Sequence, residues 1–389
     1  MSDILEAIKQ AASEAAGADM SALEMGPVVL EAGALRRIVP YLQESSLLNL
    51  VMVADETTYG IAGEALAREM GQAGIHVHVT QIKPNRLGDV IADEASVVQV
   101  ILDVKAKAAQ AVVAVGSGTL HDISRFSSYA AGIPFISVPT APSVDGFNSR
   151  GAPLIIRGEK LTIPATGPLA IFADLDILTR APSAMVAAGF ADMLGKYTSL
   201  FDWKFGHLTA GEAYSPVVAD ITRRALEQCV EHVEEIARRS GRGIYVLTRA
   251  LLESGFAMLL FGQSHSASGA EHHLSHYWEM EFLRAERRQL LHGAKVGVAC
   301  AEIAKLYHGL AEKSPPVLPE QQQEVLLREI RQLPGEAEIR RLLVAVGGPS
   351  RPEELEIDAG LLARGLQQAH LIRPHRQTLL RLYNTVSTQ

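Results

Sequence analysis

The pattern of apolar and polar positions changes near residue 180. Before it, short apolar runs alternate with segments of helical period. The segments 28–31, 47–54, 75–79, 111–115, 135–138 and 170–173 read as strands, and 34–41, 60–73 and 93–107 as helices. An amphipathic helix is expected over 1–24. The runs Leu-Leu-Asn-Leu-Val-Met-Val-Ala and Ala-Val-Val-Ala-Val are nearly apolar throughout, as suits parallel strands covered on both faces. From Pro182 onward helical periodicity takes over, across 183–204, 215–239, 243–263, 270–283, 293–311, 320–333 and 351–388. Ser314-Pro315-Pro316 and Gly347-Gly348-Pro349 read as loops. The expected architecture is an α/β domain with a parallel, Rossmann-like sheet over 1–180, followed by an all-helical domain over 181–389.

Composition narrows the class. A hydrophobic content of 48% with a net charge of -8 suits a soluble globular chain and argues against a nucleic-acid partner. No apolar run is expected to approach the roughly 18 residues of a membrane span. Asp3, Glu6, Glu14 and Asp19 are wrong for a signal peptide. Cys229 and Cys300 lie far apart with no CxxC partner, which suggests packing roles and a reducing, cytoplasmic setting.

Candidate chemistry gathers in a few stretches. In Ser264–His292, the residues Ser268-Gly269-Ala270-Glu271 read as a capping box that opens a helix. His272 and His276, four apart, then share one helix face. His292 stands before Gly293, where backbone can approach closely. Upstream, Asp192 sits among apolar neighbours in Gly189-Phe190-Ala191-Asp192-Met193-Leu194-Gly195-Lys196. It either pairs with Lys196 or, if buried, needs another partner such as a cation. Asp192, His272 and His292 would make a one-carboxylate, two-imidazole metal set with positions left for substrate.

Nucleotide chemistry is suggested by Gly116-Ser117-Gly118-Thr119 between a strand and a helix, where backbone N–H groups can cradle a pyrophosphate. A plain βα turn has the same composition, and His121 stands where a third glycine would complete the dinucleotide pattern. Asp55 ends a strand, as a ribose-binding carboxylate would, but it precedes the glycine loop, the reverse of the common Rossmann order. Pro139-Thr140-Ala141-Pro142-Ser143-Val144-Asp145-Gly146 reads as a polar binding loop at another strand end.

These motifs, with Val53-Ala54-Asp55-Glu56 and Ser268 to His276, resemble those of the iron-type, metal-dependent polyol dehydrogenases over nearly the whole chain. The similarity is greatest to the bacterial AraM-like branch of glycerol-1-phosphate dehydrogenases. The resemblance implies a cleft site between a nucleotide-binding domain and a helical domain, with one divalent ion (zinc, nickel or iron) on Asp192, His272 and His292. It implies NAD(H) or NADP(H) on Asp55, Gly116, Ser117, Gly118, Thr119, Thr140, Ser143 and Asp145, with Asp122 and Asp145 near nicotinamide and substrate. The implied reaction is reversible reduction of dihydroxyacetone phosphate to sn-glycerol 1-phosphate by a cytoplasmic homo-oligomer without a membrane partner. Proton relay falls to His276, Asp122 or water. Ser266, Ser268, Lys196 and His276 are candidates for the substrate and its phosphate. Glycerol oxidation, a dehydroquinate synthase-like lyase, and a non-catalytic metal or nucleotide sensor remain as alternatives.

Overall fold

The structure, a computed structural model, describes residues 4–13, 20–313 and 320–386. Six parallel strands form one sheet: β1 (Val28–Glu31), β2 (Asn49–Ala54), β3 (His76–Gln81), β4 (Ala111–Gly116), β5 (Phe135–Pro139) and β8 (Ala170–Asp174). Their order is β1-β8-β5-β4-β2-β3. The central strands are covered on both faces: Leu50 to Ala54 and Ala111 to Val115 are all inaccessible to solvent. This explains their unbroken apolar runs.

The strand order reverses between β2 and β4. The chain moves outward from β2 to β3, then returns to place β4 on the other side of β2. At such a switch point the strand-end loops diverge and leave a crevice. Asp55 follows β2, and Ser117 with Gly118 follows β4, so both border it. The acid precedes the glycine loop because here the earlier of the two crevice strands carries the acid.

An antiparallel hairpin was not anticipated from sequence: β6 (Gly151–Ile156) and β7 (Glu159–Pro164). Its two-residue turn, Arg157-Gly158, has positive φ at both positions (53° and 79°). That backbone matches the twist of paired strands, and a glycine makes it accessible.

Beyond β8 every described element is helical. The elements that build the site are α2 (Gly118–Ala131), α3 (Ser183–Leu194), α4 (Lys196–Ala210), α5 (Gly241–Phe261), α6 (Ala270–Arg284) and α7 (His292–Lys313). The expected helix over 1–24 is realised as α1 (Ile4–Ser13) and a 3₁₀ turn (Met20–Leu23); residues 14–19 lie outside the described residues. Ile4, Leu5, Ile8 and Ala12 of α1 pack into the core of the helical region. The loop at Ser314-Pro315-Pro316 also lies outside the described residues. The helix expected over 351–388 is interrupted: Asp358 caps a new helix through Leu361 N–H (2.7 Å), and the chain between Leu371 and Leu379 is irregular. Contrary to the expectation from sequence, α5 is long and apolar enough to cross a membrane by length and composition, its apolar run being broken only by scattered polar residues. Its apolar positions, including Leu247, Leu251 and Phe256, are buried in the helical core.

α3 and α7 meet at close range. A Cβ on Gly293 would stand 1.8 Å from the Ala188 carbonyl oxygen, so only glycine allows this approach. The contact sets His292, at the start of α7, against the helix that carries Asp192. Gly293→Ala should therefore destabilise the fold by about 1–3 kcal/mol, the usual cost of overpacking. Gly309→Ala, in the same helix with nothing within 4 Å, should be neutral or stabilising. Denaturant unfolding of both variants checks the contrast.

Candidate active site

The ligand atoms of Asp192, His272 and His292 lie within 4.8 Å of one another. Asp192 Oδ1 is 3.7 Å from His272 Nε2 and 4.0 Å from His292 Nε2. His272 Nδ1 bonds Glu271 Oε1 at 2.7 Å, which leaves Nε2 facing the centre. Thr198 Oγ1 donates to the other Glu271 oxygen at 2.6 Å. A carboxylate behind a histidine fixes its tautomer and makes it a better ligand. Burial drives the His292 imidazole well below its ordinary pKa, so it stays neutral, as a metal ligand must be.

Asp192 is inaccessible to solvent and its second oxygen accepts from Asp145 N–H at 2.9 Å. Lys196 Nζ lies 2.7 Å from Asp145 Oδ2 and 3.4 Å from Asp192 Oδ1. Asp145, Asp192 and Glu271 thus carry three negative charges against one buried ammonium. The surplus of two is what a divalent cation would neutralise. A second set, His276, Glu279 and His292, is equally compact. There, however, Lys160 (2.7 Å) and Lys295 (3.1 Å) both hold Glu279 Oε2, so the local charge is positive and opposes a cation.

A cavity of about 720 Å³ opens over this centre. It is lined from the sheet region by Asp55, Ser117, Gly118, Thr119, Asp122 and Ser143, and from the helical region by His272, His276 and His292. Ser117, the N-cap of α2, makes no side-chain capping bond, so the first amides of that helix remain available to an anion. A Cβ at Gly118 would lie 2.9 Å from Val144 Cγ2, which keeps the cradle free of side chain. Asp55 serves as a helix cap through one oxygen, accepting from Thr58 N–H at 2.7 Å, and still lines the cavity. The donor sets therefore fit both a pyrophosphate and a divalent ion.

Asp122 lies on the cavity wall with Oδ1 2.7 Å from Arg125 Nη1. Burial raises its carboxyl, Arg125 and Lys160 lower it, and it settles at about 7. Arg125 is itself fully buried and ties Asp122 to the Gly146 and Gly151 carbonyls. His276 also lines the cavity; burial, then the charges of Lys160 and Arg373, hold it neutral.

Several expected contacts are not formed. Lys196 is buried beneath the cavity between two carboxylates, out of a substrate's reach. Ser266 is fully buried, and its hydroxyl does not line the cavity. Gly116 and Thr140 lie one layer down, joined by Thr140 N–H to Gly116 O at 2.9 Å. The Ser268 capping box is replaced by another arrangement. Gly269 is the N-cap; its N–H donates to Glu271 and the Ala270 N–H to Asp202. Sequence reasoning missed Glu279 and Lys295, although they follow His276 and His292 at a three-residue helical step. It also missed Lys160, on the unanticipated hairpin, and Arg373, on the irregular segment, which no local pattern marks.

Comparison with known proteins agrees with this geometry. A family model described as iron-containing alcohol dehydrogenase matches residues 29–182. Among solved structures, a probable glycerol dehydrogenase from Sinorhizobium meliloti 1021 superposes with a TM-score of 0.68 at 15% identity, covering 91% of each chain. Glycerol dehydrogenase from Schizosaccharomyces pombe gives 0.65 at 18% identity, covering 91% of this chain and 84% of that one. These two establish the fold alone. The chain is 49% identical to glycerol-1-phosphate dehydrogenase [NAD(P)+] of Geobacillus stearothermophilus, over 90% of both chains. It is 42% identical to that of Bacillus subtilis strain 168, over 97% of this chain and 96% of the relative, and 32% identical to that of Pyrococcus furiosus, over 85% of both. The chain belongs to the NAD(P)-dependent glycerol-1-phosphate dehydrogenases, built on the iron-containing alcohol dehydrogenase fold.

Proposed function

We propose that the protein catalyses the reversible reduction of dihydroxyacetone phosphate to sn-glycerol 1-phosphate with NADH or NADPH. The observation that carries the reading is one cavity lined both by an anion cradle at the end of β4 and by His272 and His292, whose ligand atoms gather with that of the buried Asp192. When bound, the divalent ion supplies Lewis-acid polarisation of a ketone and the dinucleotide supplies the hydride. Zinc, nickel and iron all suit this donor set.

The protein's own groups hold and orient. Residues 1–180 contribute the cofactor wall, with Ser117 to Thr119 at the pyrophosphate, Ser143 beside it, and the second Asp55 oxygen free for a ribose hydroxyl. Residues 181–389 contribute the metal donors. Glu271 locks the His272 ring, while Asp145 N–H and Lys196 fix Asp192. The proton falls to Asp122 rather than His276. A carboxyl near 7 can hold a proton at neutral pH and release it, whereas His276 is kept unprotonated. Two buried, unpaired cysteines support a cytoplasmic setting, where the chain works as a homo-oligomer.

Turnover tests the reading. NADH consumption is expected to be far faster with dihydroxyacetone phosphate than with dihydroxyacetone, and chiral analysis should find sn-glycerol 1-phosphate alone. The opposite enantiomer, or a racemate, would contradict it. For the metal, His272→Ala and His292→Ala should lose bound metal and activity together, and Glu271→Gln should weaken metal affinity by about 10- to 100-fold. Wild-type metal content in both histidine variants would remove them as ligands. For the proton, ketone reduction should slow as pH rises through about 7, because a donating carboxyl must be protonated. Arg125, Lys160 and Glu279 are the charged groups acting on Asp122, and all remain in Asp122→Asn, which should abolish that limb of the kcat/KM profile. An unchanged limb assigns the proton elsewhere.

A further inference from the structure

The cavity contains a cation with no carboxylate partner. Of its basic side chains, Lys160 and Lys295 share Glu279, and Arg150 is exposed at the rim. Arg373 is different. It lines the cavity half-buried, and among the described residues it forms no ion pair. Its Nη1 donates to Ser264 Oγ and Ser268 Oγ, both at 3.1 Å. A guanidinium carries five N–H donors, so Nη2 and Nε remain free of partners in the protein. Each serine accepts from Arg373 and keeps its own O–H to donate, and both serines line the cavity. Behind them, Arg376 Nη1 donates to the Ser268 carbonyl at 3.4 Å, and its Nε and Nη2 are buried without a hydrogen bond. The nearest counter-charge to Arg376 is Glu212 at 3.7 Å. This corner therefore presents donors only, with surplus positive charge.

The start of α6, the other candidate for an anion, is already occupied. Its amides at Gly269 and Ala270 donate to Glu271 and Asp202, which are carboxylates. An incoming anion would meet negative charge there.

We propose that Arg373, with the hydroxyls of Ser264 and Ser268, is the subsite for the phosphate monoester of the substrate and sets the preference for phosphorylated over free triose. This rests on the dehydrogenase reading above and names a part of its site. A planar fork matches two phosphate oxygens at once, and the serine hydroxyls supply donors to the third. Ser266, two residues from each serine, faces away and takes no part. Arg373, Ser264 and Ser268 line the same cavity as His272, His276 and His292, so the phosphate corner shares a cavity with the proposed metal donors.

The test uses full-length, metal-loaded protein. In Arg373→Met, kcat/KM for dihydroxyacetone phosphate should fall by about 10- to 100-fold more than kcat/KM for dihydroxyacetone, in line with the loss of charge-assisted bonds. Metal content and unfolding midpoint should match wild type. Arg373→Lys should recover part of the loss, since a point charge remains without the fork. Ser264→Ala/Ser268→Ala should lower the same ratio, while Ser266→Ala should leave it unchanged. Calorimetric titration with inorganic phosphate provides an arm independent of turnover: wild type should bind and Arg373→Met should bind at least about tenfold more weakly. If both substrates suffer equally, or phosphate binds Arg373→Met as it binds wild type, the subsite is wrong. If Arg373→Met fails to fold, the double serine variant decides, and an unchanged ratio there overturns the proposal. Failure of the wild type to reduce dihydroxyacetone phosphate, with phosphate binding still dependent on Arg373, would refute the dehydrogenase reading and leave the anion subsite standing.

Discussion

The site depends on one buried ionic knot. Lys196 on α4 bridges Asp192 on α3 and Asp145 on the loop after β5, while Asp145 N–H and side chain tie Asp192 and Ser254 of α5 into the same cluster. None of these charges could be buried alone, since the desolvation cost of each is several kcal/mol. Satisfying them together fixes a sheet loop against three helices. Asp192 is thereby held in register with a loop that follows a strand of the sheet. The knot is also incomplete by itself. With Glu271 included it retains a surplus of negative charge, and a divalent ion is the natural complement. Structural and functional requirements meet in the same residues, which makes Lys196 a support of the site rather than a ligand for substrate.

The legible parts of the fold and site were those encoded locally. Apolar runs gave the buried strands, and a four-residue step put His272 and His276 on one face. An apolar setting around Asp192 announced a buried carboxylate in need of a partner. The pairing of Glu271 with His272 was hidden because the same glutamate looked like a capping residue. It does reach back to Gly269 N–H, one position away from the expected box, and its second oxygen serves Thr198. The β6–β7 hairpin was missed because its strands are only partly buried and Pro153 argues against a strand, although Arg157-Gly158 marks the turn. Lys160 came with it. Arg373 is separated from Ser264 by more than a hundred residues, and only the tertiary fold brings them together.

Topology accounts for the reversed order of acid and glycine loop. What a dinucleotide requires is a carboxylate and an amide cradle at the ends of two adjacent parallel strands beside a crevice. Chain order is indifferent to that requirement. In this sheet β2 and β4 are the adjacent pair, with Val53 opposite Ala114, and their ends supply Asp55 and Ser117-Gly118. Asp55 also caps the helix that begins at Glu56, which anchors its carboxylate in one orientation at the crevice edge. A single residue thus serves the local fold with one oxygen and faces the cavity with the other.

The charge distribution along the cavity gives the substrate a direction. At Asp145, backed by the buried Asp192 and Glu271, the charge is negative and attracts a cation; at Arg373, backed by the buried Arg376, it is positive and attracts an anion. Between them Glu279 is screened by Lys160 and Lys295, so it does not repel a phosphate that lies nearby. A phosphorylated ketone entering this field has one favourable orientation, with its phosphate at the basic corner and its carbonyl towards the histidines. The reverse would leave Arg373, and the unpartnered donors of Arg376 buried behind it, without an anion. A nicotinamide held at the sheet, as proposed above, would meet only one side of the carbonyl. Handedness follows from three anchors carried by separate parts of the chain. The phosphate corner has its guanidinium on a segment without regular secondary structure, whereas His272, His292 and Asp192 all stand on helices.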